Sequence, residues 1–398
     1  MFFYAMITTM SKQEKSTILL NTIFNFCASL VSTFISVYLY IYTNSIPMMC
    51  LYIIVRIGCF PIFFTLGTKL VKKYPFTLTY TIGLSLITCA LIYALAGTAL
   101  FEQNPYYVLI AAAIVGSGEG FYYFSANTCN QIVSSDETRG KFYVYNSVFN
   151  TVGSLFAPMF ATLVLNSVED EMFGYRILLY VIVTVFIIVI FVALKINTRS
   201  RDVNSSVRNS LKLTGDRKWL DHNVAVFCYG LRDGLGLNTI NLLVYRAAGN
   251  GGTYSKVQTL FSFVGILAYY STKRLLNKEY ISNTMQAGVI FRVISTLTLL
   301  YIPNMTGAIT YGLLNTLAAA FYDNSYNYLS AQIIGKYRDE MTARIVAKET
   351  YLSFGRITSM CVVLICYALF PEDVYLLVSV TLLGLAPIAV ERLLIKYK

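Results

Sequence analysis

The sequence predicts an all-α membrane protein of about twelve transmembrane helices, arranged as two pseudo-symmetric six-helix halves. Three observations predict it. First, of 398 residues 56% are hydrophobic and 13% charged, roughly half the charged share of an average soluble domain. Second, the apolar residues come in blocks, many of about 20 residues, long enough to cross a hydrocarbon core of about 30 Å. Third, the short loops between the blocks alternate between basic and acidic or neutral. A large soluble helical protein would not repeat such blocks along its whole length.

The blocks place spans 1 to 6 at roughly 17–42, 46–68, 76–97, 106–133, 142–166 and 174–195. Spans 7 to 12 fall at roughly 223–245, 254–272, 281–302, 305–333, 345–369 and 374–394. Lys12 and Lys15 precede span 1. Lys69, Lys72 and Lys73 follow span 2, Arg139 and Lys141 follow span 4, and Lys273, Arg274 and Lys278 follow span 8. Lys336, Arg338 and Arg344 follow span 10, and Lys396 and Lys398 end the chain. The alternate loops carry Glu102, then Glu169, Asp170 and Glu171, then Glu372 and Asp373, with Arg246 and Lys256 as exceptions. Positive residues stay inside, so both termini are expected in the cytoplasm of a bacterial inner-membrane protein. An even number of spans requires the same. The longest polar stretch, 196–221, carries Lys195, Arg199, Arg201, Arg208, Lys212, Arg217 and Lys218 in and beside it. It reads as a cytoplasmic linker between an N-terminal half, 1–195, and a C-terminal half, 222–398.

Several function classes drop out. The net charge of +11 sits in loops where membrane topology needs it, so no nucleic-acid partner is expected. The eight cysteines are scattered singly without a CxxC, so neither a disulfide framework nor a metal site is expected. The single histidine, His222, reads as structural. The N-terminus reads as a span, not a cleaved signal. Asn204-Ser205-Ser206 matches a glycosylation acceptor in a loop expected to be cytoplasmic, where it stays unused. An intramembrane enzyme would want a nucleophile–base pair, and none is visible.

The halves repeat faintly. Phe121, Tyr122, Ser125 and Asn127 of span 4 recur as Phe321, Tyr322, Ser325 and Asn327 of span 10. Phe26, Cys27 and Leu30 recur as Phe227, Cys228 and Leu231, Thr68 and Lys69 as Thr272 and Lys273, and Gly153 as Gly355. The offset is nearly constant and pairs equivalent spans.

Two six-span halves joined by a cytoplasmic loop resemble the major facilitator fold over the whole chain. Gly67-Thr68-Lys69-Leu70-Val71-Lys72-Lys73 resembles that family's glycine-plus-basic loop signature, without its usual aspartate and second glycine. In span 5, Gly153-Ser154-Leu155-Phe156-Ala157-Pro158-Met159-Phe160-Ala161 resembles the glycine–proline motif of drug/proton antiporters, with alanines at 157 and 161 where glycine is usual. GSGEGFYYFSANT, GLRDG and KETYLSFGR resemble segments of a poorly characterised bacterial branch. The resemblance implies a central cavity lined by spans 1, 4, 7 and 10.

Charges inside apolar spans carry the chemistry, because each is costly there, nominally about 2.5–3.5 kcal/mol. Arg56 lies in span 2, Glu119 in span 4, Arg232 and Asp233 in span 7, Arg292 in span 9, Asp323 in span 10, and Glu349 and Arg356 in span 11. Helical spacing groups Glu119, Tyr123, Asn127 and Asn130 on one face of span 4. Asn315, Asp323, Tyr326, Asn327 and Ser330 share a face of span 10. Glu349, Ser353, Arg356 and Ser359 share one on span 11, and Asn21, Asn25, Ser29, Ser32 and Ser36 one on span 1. Within a bilayer such a stripe turns to a water-filled cavity or to another helix.

The substrate and proton pathway is therefore assigned to Glu119, Asp233, Arg232, Asp323, Asn127, Asn327, Tyr123 and Tyr326, with Tyr122 and Tyr322 as possible cavity aromatics. Arg56, Glu349 and Arg356 read as gating or interface charges. Arg292 is expected to be peripheral, and Arg56 is the expected partner of Asp233 should that carboxylate only neutralise an arginine. No cofactor is expected. A proton serves as coupling ion, carried by Glu119 and Asp233, which are expected to face one central cavity. The function expected is alternating access, two halves rocking about a midplane site, with proton-coupled export of a small organic compound by a monomer in the lipid bilayer. The alternatives are import of a small polar metabolite, or a non-transporting scaffold, immunity protein or sensor on a transporter fold.

Overall fold

The computed structural model describes residues 10–43, 45–97, 101, 103–133, 139–196, 211, 216–237, 239–272, 275, 279–337 and 340–397. Most of the expected linker lies outside them, including Asn204-Ser205-Ser206 and four of its basic residues, Arg199, Arg201, Arg208 and Lys212. So do Glu102, Lys273, Arg274, Lys278, Arg338 and Lys398, and the side chains of Ser32, Ser36, Arg139, Lys141, Glu171, Glu372 and Asp373.

Among the described residues the chain is helical without a strand, the all-α architecture its apolar blocks predict. Spans 1 to 6 are the helices Lys12–Thr43, Ile46–Leu70, Phe76–Ala96, Val108–Val133, Arg139–Asn166 and Glu171–Ala193. Span 7 comprises Arg217–Leu237 and Thr239–Ala248, span 8 is Gly251–Thr272, and span 9 is Ile281–Tyr301. Span 10 runs as Met305–Ala318, a π-helical turn at Ala319–Asp323, and Asn324–Gly335. Span 11 is Met341–Leu369, and span 12 comprises Glu372–Gly384 and Ala386–Leu394. The chain divides into two compact units, Met1–Tyr38 with Val55–Asn204, and Leu39–Ile54 with Ser205–Lys398.

Eight helices are long and apolar enough to cross a membrane unaided, in spans 2 to 6, 9, 11 and 12. Spans 1, 7, 8 and 10 fall short among the described residues. In spans 7 and 10 the reason is their own polar residues: Arg232 and Asp233 in span 7, Asn315 and Asp323 in span 10. A helix that turns polar groups to protein rather than lipid can carry them at membrane depth.

Helix ends are capped by the residues their sequence supplies. Ser11 and Glu14 form a reciprocal capping box at span 1, with the Ser11 amide donating to Glu14 at 2.7 Å and the Glu14 amide to Ser11 Oγ at 3.2 Å. Asp170 accepts from the Met172 amide at 2.9 Å, and Asn304 from the Gly307 amide at 3.1 Å.

Lipid tails are as apolar as leucine, so helices in a bilayer associate through close packing and polar contacts. Both units place glycines where helices meet. A Cβ on Gly83 of span 3 would stand 2.7 Å from the Gly118 carbonyl and 2.8 Å from the Tyr122 amide of span 4. In the second unit, a Cβ on Gly288 of span 9 would collide with the Tyr322 amide of span 10. Likewise Gly153 of span 5 abuts the Thr22 carbonyl of span 1, and Gly355 of span 11 abuts the Phe227 carbonyl of span 7. The two units thus repeat close helix contacts at equivalent positions, which is the packing counterpart of the sequence repeat.

Candidate functional site

In the first unit the polar residues close on each other. Arg56 reaches from span 2 to span 4 and grips Glu119 with two parallel bonds, Nε to Oε2 at 2.9 Å and a terminal nitrogen to Oε1 at 2.5 Å. Both side chains are nearly buried, 11% and 12% exposed. The approach is close because Gly116 sits directly on the Arg56 backbone. In the N-terminal half of span 1, the Asn21 amide donates to Asn130 at 3.0 Å and to Asn146 at 2.9 Å. The Tyr122 hydroxyl donates to the Asn21 oxygen at 3.4 Å, and the Tyr122 ring stacks on Phe24. This ties spans 1, 4 and 5 with neutral amides.

In the second unit the polar residues form a larger, more cationic cluster. Asp323, at the end of the π turn, receives Arg292 at 2.5 Å and the Tyr229 hydroxyl at 3.2 Å. The Asn315 amide oxygen accepts from Arg292 at 2.6 Å and from Arg232 at 3.2 Å. Asp233, the next residue along span 7, pairs instead with Arg356 of span 11, at 2.7 Å from Nε and 2.6 Å from a terminal nitrogen. The Tyr229 ring stacks between Tyr326, with centroids 4.0 Å apart, and Tyr322, at 5.9 Å. A π turn widens the helix locally and recurs at functional sites. Here it ends at the carboxylate that organises the cluster.

The structure therefore distributes the predicted site residues unevenly. Glu119 meets Arg56, and Asp233 meets Arg356, so the expected Asp233–Arg56 pairing is corrected. Each arginine is taken by the carboxylate on the helix packed against its own. Arg292 is not peripheral. It is buried, because the glycine contact at Gly288 one turn away brings span 9 onto span 10 within reach of its long side chain. Tyr326 joins the tyrosine stack, while Tyr123 packs edge-on against Phe24 and Tyr122. Asn127 is half-buried and Asn327 exposed, away from the hydrogen bonds of either cluster. Glu349 is half-buried on span 11.

Tyr229 and Asn146 are site residues the stripes did not reveal. Tyr229 stands three and four residues before Arg232 and Asp233, a helical spacing that could have shown it. Among the described residues no group of three His, Cys, Asp or Glu side chains could hold a metal ion.

A separate polar cluster gathers where span 7 begins and span 10 ends in the second unit. Asp216 caps span 7, accepting from the Lys218 amide at 2.9 Å and from the Tyr337 hydroxyl. The Tyr337 bond, aided by the backbone amides, holds the Asp216 carboxyl below the usual carboxylate range. Burial and then Asp216 push the Tyr337 phenol up to about 12. The Arg344 guanidinium lies over the Tyr337 ring at 3.4 Å and the Trp219 ring at 4.4 Å. Tyr351 donates to the Leu211 carbonyl at 2.9 Å, and Tyr397 to Asp221 at 2.8 Å. Trp219 stacks on His222, whose Nε2 is bonded to Ser330 at 2.8 Å, the structural role expected of this histidine.

Fold and site together define a polytopic transport protein of helical halves with ion pairs at membrane depth. The chain belongs to the Major Facilitator Superfamily, whose sequence pattern matches residues 79–386. It is similar to the uncharacterized protein YqgE of Bacillus subtilis (strain 168), 25% identical over 369 residues that cover 90% of this chain and 83% of that one. Among solved structures it is similar to the nucleoside transporter NupG, with a TM-score of 0.72 at 12% identity over 98% of this chain and 100% of that one. It is also similar to the E. coli fucose:proton symporter FucP, with a TM-score of 0.63 at 15% identity over 96% and 99%.

Proposed function

We propose that this chain is a secondary active transporter that works by alternating access and couples proton movement to export of a small organic compound. The observation that carries this reading is the Asp233–Arg356 pair. A carboxylate at membrane depth is held by a guanidinium, yet 32% of its side chain is open. Protonation of Asp233 would remove its charge and release Arg356; loss of the proton would restore the pair. Proton and partner thus compete for one carboxylate, which is the linkage a coupled transporter needs. Glu119, clasped by Arg56, is the second proton carrier. Export is supported by the resemblance of Gly153–Ala161 to antiporter sequences. The basic loops support a multi-pass bacterial inner-membrane protein with cytoplasmic termini, working as a monomer in the bilayer.

The test uses purified protein in proteoliposomes with an imposed pH gradient, scanning metabolites and toxic organic compounds for gradient-dependent accumulation. A hit in wild type that Asp233→Asn fails to accumulate, while still exchanging it downhill, supports the reading. Gradient-independent movement of every compound would overturn the coupling. Absence of any flux would favour a scaffold or sensor on the same fold. A cysteine at Ser206 should resist an impermeant thiol reagent added to intact cells; labelling from outside would invert the topology.

A further inference from the structure

Arg232 is 6% exposed and makes one hydrogen bond, to a neutral amide oxygen that it shares with Arg292. A guanidinium has five N–H donors. Its Nε is buried without an acceptor, and among the described residues no carboxylate pairs with it. The carboxylate nearest in the network, Asp323, is occupied by Arg292 and the Tyr229 hydroxyl. Asp233 is taken by Arg356, which also has the Glu349 carboxylate in its neighbourhood. Two guanidiniums and one carboxylate leave the Arg232–Arg292–Asp323 group with a single net positive charge.

Buried cations in stable proteins are paired, because an uncompensated charge is costly to desolvate. Here the compensation is missing at one point of the cluster. The Tyr322 and Tyr326 hydroxyls, stacked with Tyr229 beside it, are also buried without partners. An arginine fork with open donors matches a carboxylate, which can accept two parallel bonds. One net charge matches a monoanion. A dianion would leave the cluster negative, and a neutral amide would leave it positive.

We infer that Arg232, with Asn315 and Arg292 behind it, recognises the carboxylate head of a monoanionic organic substrate. This rests on the transporter reading and narrows its substrate class.

The test uses the full chain in lipid nanodiscs at constant ionic strength. Thermal unfolding is followed with benzoate and acetate, with benzamide and acetamide as neutral twins, and with phenyl phosphate as a dianion. Wild type should be stabilised by several degrees more by the carboxylates than by their amides or by the dianion. Arg232→Met should lose that preference, and Arg232→Lys should keep a weakened form of it. Without additive, Arg232→Met should unfold at or above the wild-type temperature, since it removes an uncompensated charge. A structural cation would instead lower it. A carboxylate preference that is absent from wild type, or that persists in Arg232→Met, overturns the assignment, as does a clear loss of stability in the unliganded variant. Flux under a pH gradient keeps the two ideas apart. Protein that binds benzoate through Arg232 but moves nothing defeats transport and leaves the anion site. Protein that moves benzamide as readily as benzoate defeats the anion site and leaves transport.

Discussion

The two units are built from one repeated pattern, yet they spend their buried charges differently. In the first, one arginine and one carboxylate satisfy each other in a two-bond clasp, and the cluster beside them is built of neutral amides and a tyrosine hydroxyl. In the second, three arginines meet Asp323 and Asp233, with Glu349 near Arg356, and the Asp233–Arg356 pair is the more open one. Shared packing with different electrostatics means that the repeated glycine contacts set the architecture, while the larger cluster of buried charges stands on one copy. The first unit is suited to rigidity. The second has the charge state that, on the proposed reading, a proton or an anion would change.

The largest expected effect follows from that openness. Asp233→Asn should abolish accumulation driven by a pH gradient while leaving the protein abundant. The half-open site lets water solvate the released Arg356, so folding survives. Flux and expression measured side by side check it, and full gradient-driven transport by the variant would move the proton to Glu119. The clasp in the first unit should behave in the opposite way. Glu119→Gln strands a buried Arg56 and should cost about 3–5 kcal/mol of stability. The double change Arg56→Met with Glu119→Met should recover most of it in thermal unfolding. Failure of the double variant to recover would show that the pair does more than neutralise itself.

A smaller effect tests the shared architecture. Gly83→Ala and Gly288→Ala each place a methyl against a neighbouring backbone and should cost about 1–3 kcal/mol. Similar losses in the two units would support equivalent packing; a loss in one alone would break the comparison. The smallest effect concerns the polar cluster at the start of span 7. Asp216→Asn should weaken the cap by less than about 1 kcal/mol, because the group is largely solvated. Since folding lowers the Asp216 carboxyl, its contribution is complete above the ordinary carboxylate range. It is lost as the pH falls through the lowered folded value. The stability difference between wild type and variant, followed against pH, should shrink in acid.

The fold was largely legible in the sequence because its signals are coarse. Apolar blocks and alternating loop charges need no knowledge of contacts, and Gly153 and Gly355 were already visible as counterparts. Which charge meets which was not legible. Pairing depends on the reach of a side chain and on which helices touch, and both are properties of the assembled bundle. Asp233 goes to Arg356 rather than Arg56 for that reason, and Arg292 turns inward because Gly288 lets span 9 come close. The polar stripes correctly gathered Asn315 with Asp323 and Asn21 with Asn25. They also swept in Asn127 and Asn327, because spacing fixes a face but not whether a partner stands opposite it.

The chain contains one tryptophan, and it lies at the start of span 7, under Arg344 and against His222. Its emission therefore comes from a single known place. A cation held over an indole perturbs its excited state, so any step that slides span 11 past the start of span 7 should change brightness and colour without a label. The protein carries its own optical gauge for that end of the bundle, readable in a stopped-flow instrument during a pH jump.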